Sequence, residues 1–205
     1  MSNRIDGTAR RQHLAEAVWR IIVRDGLPAV SVRGVALEAG LATGSVRHFF
    51  PSQAELVSFA MTALAEMVTT RVRAAAQTAD LPERVLAMLV ELLPVTDRTH
   101  AEFTAYLDFM QRSRTDAALR PVAWESVRAV RELVVTVLTD LDRLGLLRTG
   151  LDIEAESVRL HAFLDGLTLQ LVVAPDLVSR DEAHDALARW LHDLEAVGPQ
   201  QRGRA

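Results

Sequence analysis

The chain has 205 residues, 49% of them hydrophobic and 5% aromatic, and no cysteine; that is enough for a sizeable core, and it excludes disorder, disulfide staples and thiolate metal sites. The formal charge of −4 argues against a general nucleic-acid coat, but residues 1–56 carry seven Arg against five Asp and Glu, a net +2 that leaves −6 for the remainder. No apolar run approaches the ~20 residues of a membrane span, and the opening MSNRIDGTARR lacks the apolar middle of a secretory signal, which points to the cytoplasm.

In chain order, Leu14, Ala17, Val18, Ile21 and Ile22 fall on one face of a helix that stops at Gly26 and Pro28. A second short helix opens after Ser31, a hydroxyl cap, with Val32, Val35, Ala36 and Ala39 inward, and Gly40 ends it. A third begins near Thr43 and turns Val46, Phe49 and Phe50 inward. After Pro51, the Ser52-to-Glu55 capping box starts a fourth helix that runs to about Ala76. Longer helices are expected over 82–93, 97–114, 117–144, 153–173 and 180–196, and a frayed polar tail over 198–205. The β-branched Val134-to-Val137 stretch stays helical, because it sits inside the series Val127, Val130, Leu133, Val134, Val137, Leu138, Leu141.

The fold class is therefore all-α. An N-terminal three-helix domain with a helix-turn-helix (1–56) precedes a larger helical domain (57–197). A tight glycine turn between two short helices is the arrangement that presents the second of them to a DNA major groove. Its outward residues would be Thr43, Gly44, Ser45, Arg47 and His48, most of them donors, and Arg47 has the fork geometry that reads guanine. Ser31, Arg33 and Gln53, at helix starts, suit phosphates. Arg4, Arg10 and Arg11 form a candidate flexible arm. The alternative is a plain three-helix start to an all-helical core, polar outside because surfaces are polar.

The 26 residues from Ser31 to Leu56, SVRGVALEAGLATGSVRHFFPSQAEL, resemble the DNA-binding signature of the TetR-type transcriptional regulators. Ala39-Gly40, Gly44-Ser45, His48-Phe49-Phe50 and Ser52-x-x-Glu55-Leu56 all fall in register. The sequence departs from the family's usual serine at Ala42, aromatic at Arg47 and lysine at Gln53; with Ala42 in place, Thr43 becomes the nearby cap.

The resemblance implies a ligand-responsive repressor that binds a palindromic operator in double-stranded DNA as a homodimer. It also implies release by an unknown small apolar or aromatic effector held among the middle helices, where Phe103, Tyr106, Phe109, Met110 and Trp124 are candidate lining residues. Plain core is the other reading of each. His100 and Asp108 are candidate orienting groups. The helices at 153–173 and 180–196 would form the subunit interface, with Phe163, Leu164, Leu167, Leu171, Leu187, Trp190, Leu191 and Leu194; a monomeric core would account for them too.

No metalloprotease His cluster, Gly-rich phosphate loop, G-x-S-x-G or cysteine nucleophile is present, so neither an enzyme nor a cofactor is expected. His161 and Asp165, four residues apart, form a helix pair or at most a two-ligand metal site. The rival function is a helical small-molecule- or protein-binding dimer without specific DNA binding.

Overall fold

The computed structural model describes the backbone of residues 2–77 and 80–196 and the side chains of residues 9–77, 80–81 and 83–196. The expected tail at 198–205 lies outside them. Among the described residues the fold is all helix: α1 (Ser2–Asp25), α2 (Val32–Glu38), α3 (Thr43–Phe49), α4 (Gln53–Ala75), α5 (Leu81–Val90), α6 (Asp97–Ser113), α7 (Arg120–Arg143), α8 (Ile153–Val173) and α9 (Arg180–Leu194). Single 3-10 turns at Leu27–Ala29 and Ala117–Leu119 precede α2 and α7.

The residues group by packing into two compact units, 1–71 with 96–126, and 72–95 with 127–205. This grouping cuts across the division at residue 56 expected from chain order. The reason is α6, whose Ala105 and Phe109 join the core formed by α1, α2 and α3 and the first part of α4. In that first unit Leu14, Ala17, Val18, Ile21 and Ile22 of α1 are all buried, as their spacing requires. They meet Leu27, Val30, Val35, Ala36, Val46, Phe50, Leu56 and Ala60. Each buried Leu, Ile or Phe in this set contributes roughly 1.5–3 kcal/mol from area alone.

In the second unit α9 packs on α5 and α8. Val134, Val137, Leu138 and Leu141 are buried at i, i+3, i+4 and i+7 on α7, which is why β-branched residues remain helical there. After α7 the chain runs extended and pairs with the end of α9: Arg148 N–H donates to the Leu194 carbonyl at 2.9 Å and Ala196 N–H to that of Leu146 at 2.8 Å.

Two helices end in the same hydrogen-bonded glycine stop. At α2, Gly40 has φ +64°, Leu41 N–H reaches the Ala36 carbonyl at 2.8 Å, and Gly40 N–H reaches that of Leu37 at 3.2 Å. Gly145 does the same for α7, with Leu146 N–H on the Leu141 carbonyl at 3.0 Å.

Candidate nucleic-acid interface

The α2–turn–α3 segment is held from behind by α1. His13 Nε2 donates to the Ala39 carbonyl at 2.8 Å, at the C-cap of α2. Two and three turns along α1, Arg20 Nε and Arg24 Nη1 grip the two Glu38 oxygens at 2.7 and 3.0 Å. The hydrogen bonds from Arg20 and then Arg24 hold the Glu38 carboxyl below the usual carboxylate range. Cations therefore meet the C-terminal end of α2, the end a helix leaves negative, and fix the place from which the turn departs.

Within α2, Ser31 Oγ accepts from Gly34 N–H at 3.0 Å. A Cβ on residue 34 would stand 3.0 Å from that oxygen, which accounts for a glycine inside so short a helix. The start of α3 differs from expectation: Ala42 occupies the N-cap with no side-chain cap bond, and Thr43 is the first helical residue, not the cap.

On α3, Val46 is 0% and Phe50 7% exposed, and Phe50 lies 4.7 Å from Phe59 of α4 between ring centroids. Phe49 is only half-buried, with the His48 ring edge-on at 5.7 Å. This anchoring turns Thr43, Gly44, Ser45, Arg47 and His48 outward, and all five are exposed. Arg33 is exposed on α2. Arg47 and Arg33 make no ion pair among the described residues.

Gln53 departs from the expected role. Its Nε2 donates to the Val30 carbonyl, so the side-chain amide is turned into the protein and ties α4 to the segment before α2. Ser52 caps α4, accepting from Glu55 N–H at 3.2 Å. The expected flexible arm is instead the first turns of α1, which begins at Ser2; the Arg4 side chain lies outside the described residues.

The candidate effector residues separate. Phe103 and Tyr106 meet edge-on at 6.3 Å on α6 and are half-buried, as is Met110. Phe109 is 0% exposed and sealed in the core of its unit, whereas Trp124 stands 79% exposed on α7, a surface position and not a pocket one. His100 and Asp108 are half-buried.

Of the residues expected at a subunit interface, Leu164, Leu167, Leu171, Leu187 and Leu194 are buried within the chain itself, and Phe163, Trp190 and Leu191 are half-buried. The helical spacing that suggested several apolar faces on α8 is real, but the uncovered face is a different one. Val158, Ala162, Leu169 and Val173 form an exposed stripe, continued by Leu177. His161 and Asp165 on the same helix approach to 3.9 Å, too far for a hydrogen bond. Partial burial raises the Asp165 carboxyl above its usual value, and His161 opposes the shift.

Sequence reasoning missed one constellation. Glu102 on α6 is buried and held by Arg71 of α4 and Arg98 of α6. The Arg98-to-Glu102 spacing of four was legible as a helix pair; Arg71, 31 residues away, carried no local signal.

Comparison with known proteins places the chain in a family. Residues 82–195 match the model described as BetI-type transcriptional repressor, C-terminal. The HTH-type transcriptional regulator PksA of Bacillus subtilis is 35% identical over 196 residues, covering 95% of this chain and 94% of that protein. The HTH-type transcriptional repressor KstR2 of Mycobacterium tuberculosis is 26% identical over 147 residues, 71% and 73% of the two chains. A TetR transcription regulator from Haloarcula marismortui shares the fold at a TM-score of 0.79 and 18% identity, over 92% of this chain and 99% of that one. Agreement along nearly the whole length of one helix-turn-helix regulator, and along more than half of this chain with a repressor's C-terminal model, means that the chain belongs to the TetR family of transcriptional regulators.

Proposed function

We propose that this chain is a cytoplasmic repressor that binds a palindromic double-stranded DNA operator as a homodimer and is released when a small apolar or aromatic effector binds among its middle helices. The observation that carries this reading is the outward face of α3: Thr43, Ser45, Arg47 and His48 are exposed donors on a helix anchored by Val46 and Phe50. A surface built only to be solvated needs no such concentration of groups that match base edges and phosphates.

In this scheme Arg47 reads base edges, and Arg33 and the Ser31 hydroxyl take phosphates. Gln53, its side chain engaged elsewhere, has its backbone N–H at the first turn of α4 for a phosphate. A single recognition helix of seven residues makes too few contacts for selective binding, so a twofold partner is a physical requirement. The uncovered stripe of Val158, Ala162, Leu169 and Val173 is the face for that partner. The effector site narrows to the half-buried Phe103, Tyr106 and Met110.

The test is a mobility-shift assay on the DNA upstream of the protein's own gene, with excess random competitor. A selective complex is expected, and compounds that dissociate it must bind the free protein more tightly than the complex, by the same factor in both directions. Absence of a selective complex at low salt leaves the rival reading, a helical binding dimer without operator recognition. Equal effector affinity with and without operator removes the release mechanism.

A further inference from the structure

α2 and α3 have seven residues each, too few for either to hold its place as an isolated helix, so what positions them comes from the rest of the unit. Val35, Ala36, Val46 and Phe50 supply attraction by burial, but apolar contact is non-directional and tolerates small rotations. Direction comes from the end of α2. The glycine stop takes three of its last carbonyls: Ala39 N–H donates to Val35 at 2.9 Å, Gly40 N–H to Leu37 at 3.2 Å and Leu41 N–H to Ala36 at 2.8 Å. The next two carbonyls are taken by side chains of α1, that of Glu38 by Arg20 Nη2 at 3.3 Å and that of Ala39 by His13 Nε2 at 2.8 Å. These last two bonds reach across 18 and 26 residues of chain.

Ala39 stands at the join. Gly40, Leu41 and Ala42 separate it from Thr43, where α3 begins, and Ala42 gives that helix no side-chain cap. The turn is open beside Gly40, with no atom within 4 Å of where a Cβ would stand. The angle at which α3 leaves is therefore referred to α1 through the Ala39 carbonyl. His13 lies at the surface, where water replaces a lost hydrogen bond at little cost to stability. Its effect falls on geometry instead, because forked contacts with base edges tolerate only small displacements of the helix that carries them.

We infer that His13 is a positioning residue for DNA recognition, bracing the α2–α3 turn against α1 and acting through α3 without touching the nucleic acid. This rests on the reading of α3 as the helix that meets DNA. His13→Ala removes the brace. His13→Gln keeps it, since the glutamine amide donates from nearly the place of imidazole Nε2.

Competition shift assays on the full-length protein, over a range of salt, test the role. His13→Ala is expected to weaken the selective complex by about five- to tenfold per half-site. Affinity for random DNA, its salt slope and the melting temperature are expected to stay as they are. His13→Gln is expected to restore the selective complex. In an Arg47→Ala background His13→Ala is expected to cost markedly less, because the contact it aligns is already gone. Amide hydrogen exchange needs no DNA: His13→Ala is expected to speed exchange over residues 40–49 and to leave residues 14–22 unchanged. An equal loss on both DNAs with a shallower salt slope would make His13 a phosphate contact and overturn the assignment. So would full additivity with Arg47→Ala, a lowered melting temperature that accounts for the loss, or a failure of His13→Gln to restore what His13→Ala removes. Faster exchange over 40–49 in a protein that forms no selective complex upholds the brace and removes the DNA reading. A selective complex indifferent to His13→Ala does the reverse.

Discussion

Arg47 stands on the exposed flank of α3 and pairs with no carboxylate among the described residues, which leaves its guanidinium facing outward. Arg47→Ala is expected to lose about 1–3 kcal/mol per half-site on the cognate operator and little on random DNA, measured by competition shift assay; equal loss on both would make Arg47 a phosphate contact. Arg33→Ala is expected to weaken both DNAs alike and to flatten the salt dependence of binding by about one unit of slope per protomer. Glu38 contributes one pH dependence to stability. Its folded carboxyl lies below the ordinary value, so its contribution is fully present above about pH 4.3 and fades as pH falls through its own lower value. The melting curves of wild type and Glu38→Gln should therefore differ at neutral pH and converge in acid; a constant difference would mean that the Arg20 and Arg24 contacts do not stabilise the fold. The donors on α3 were legible in the sequence because they and the anchoring Val46 and Phe50 lie within one short period. The involvement of Gln53 with Val30 and of His13 with Ala39 was not, since each bond spans more than twenty residues.

At the scale of elements, the helix-turn-helix is specified by local chemistry that the sequence states openly. Gly40 takes a left-handed φ of +64°, and Gly40→Ala is expected to cost about 1 kcal/mol although the site has room for a Cβ. α3 lacks a side-chain cap, since Ala42 sits where a hydroxyl would accept from the first free amides. Ala42→Ser is expected to add roughly 0.5–2 kcal/mol, read as a higher midpoint in urea; no change would mean that water already satisfies those amides. α8 shows where periodicity alone runs short. Its apolar residues occupy two faces, and spacing cannot say which face meets the chain's own α9. Packing selects Leu160, Leu164, Leu167 and Leu171 for the interior and leaves Val158, Leu169 and Val173 outside.

For the molecule as a whole, that choice separates stability from assembly. Leu164→Ala is expected to destabilise the fold by about 2–5 kcal/mol, because it empties a buried site. Leu169→Glu with Val173→Glu, on the exposed stripe, is expected to leave the helical content intact, to convert dimers to monomers in sedimentation velocity, and to abolish selective operator binding. A dimer that survives both charges would place the interface elsewhere. The all-helical class, the order and approximate bounds of the helices, the glycine stops and the outward face of α3 followed from the sequence by itself, because each depends on residues within a turn or two of one another. Only the tertiary structure decided that α6 joins the core of the N-terminal helices, that Trp124 lies on the surface, and that Arg71 closes on Glu102. Each of these is a choice among several equally apolar or equally charged faces, made by what the rest of the chain brings against them and invisible to any local pattern.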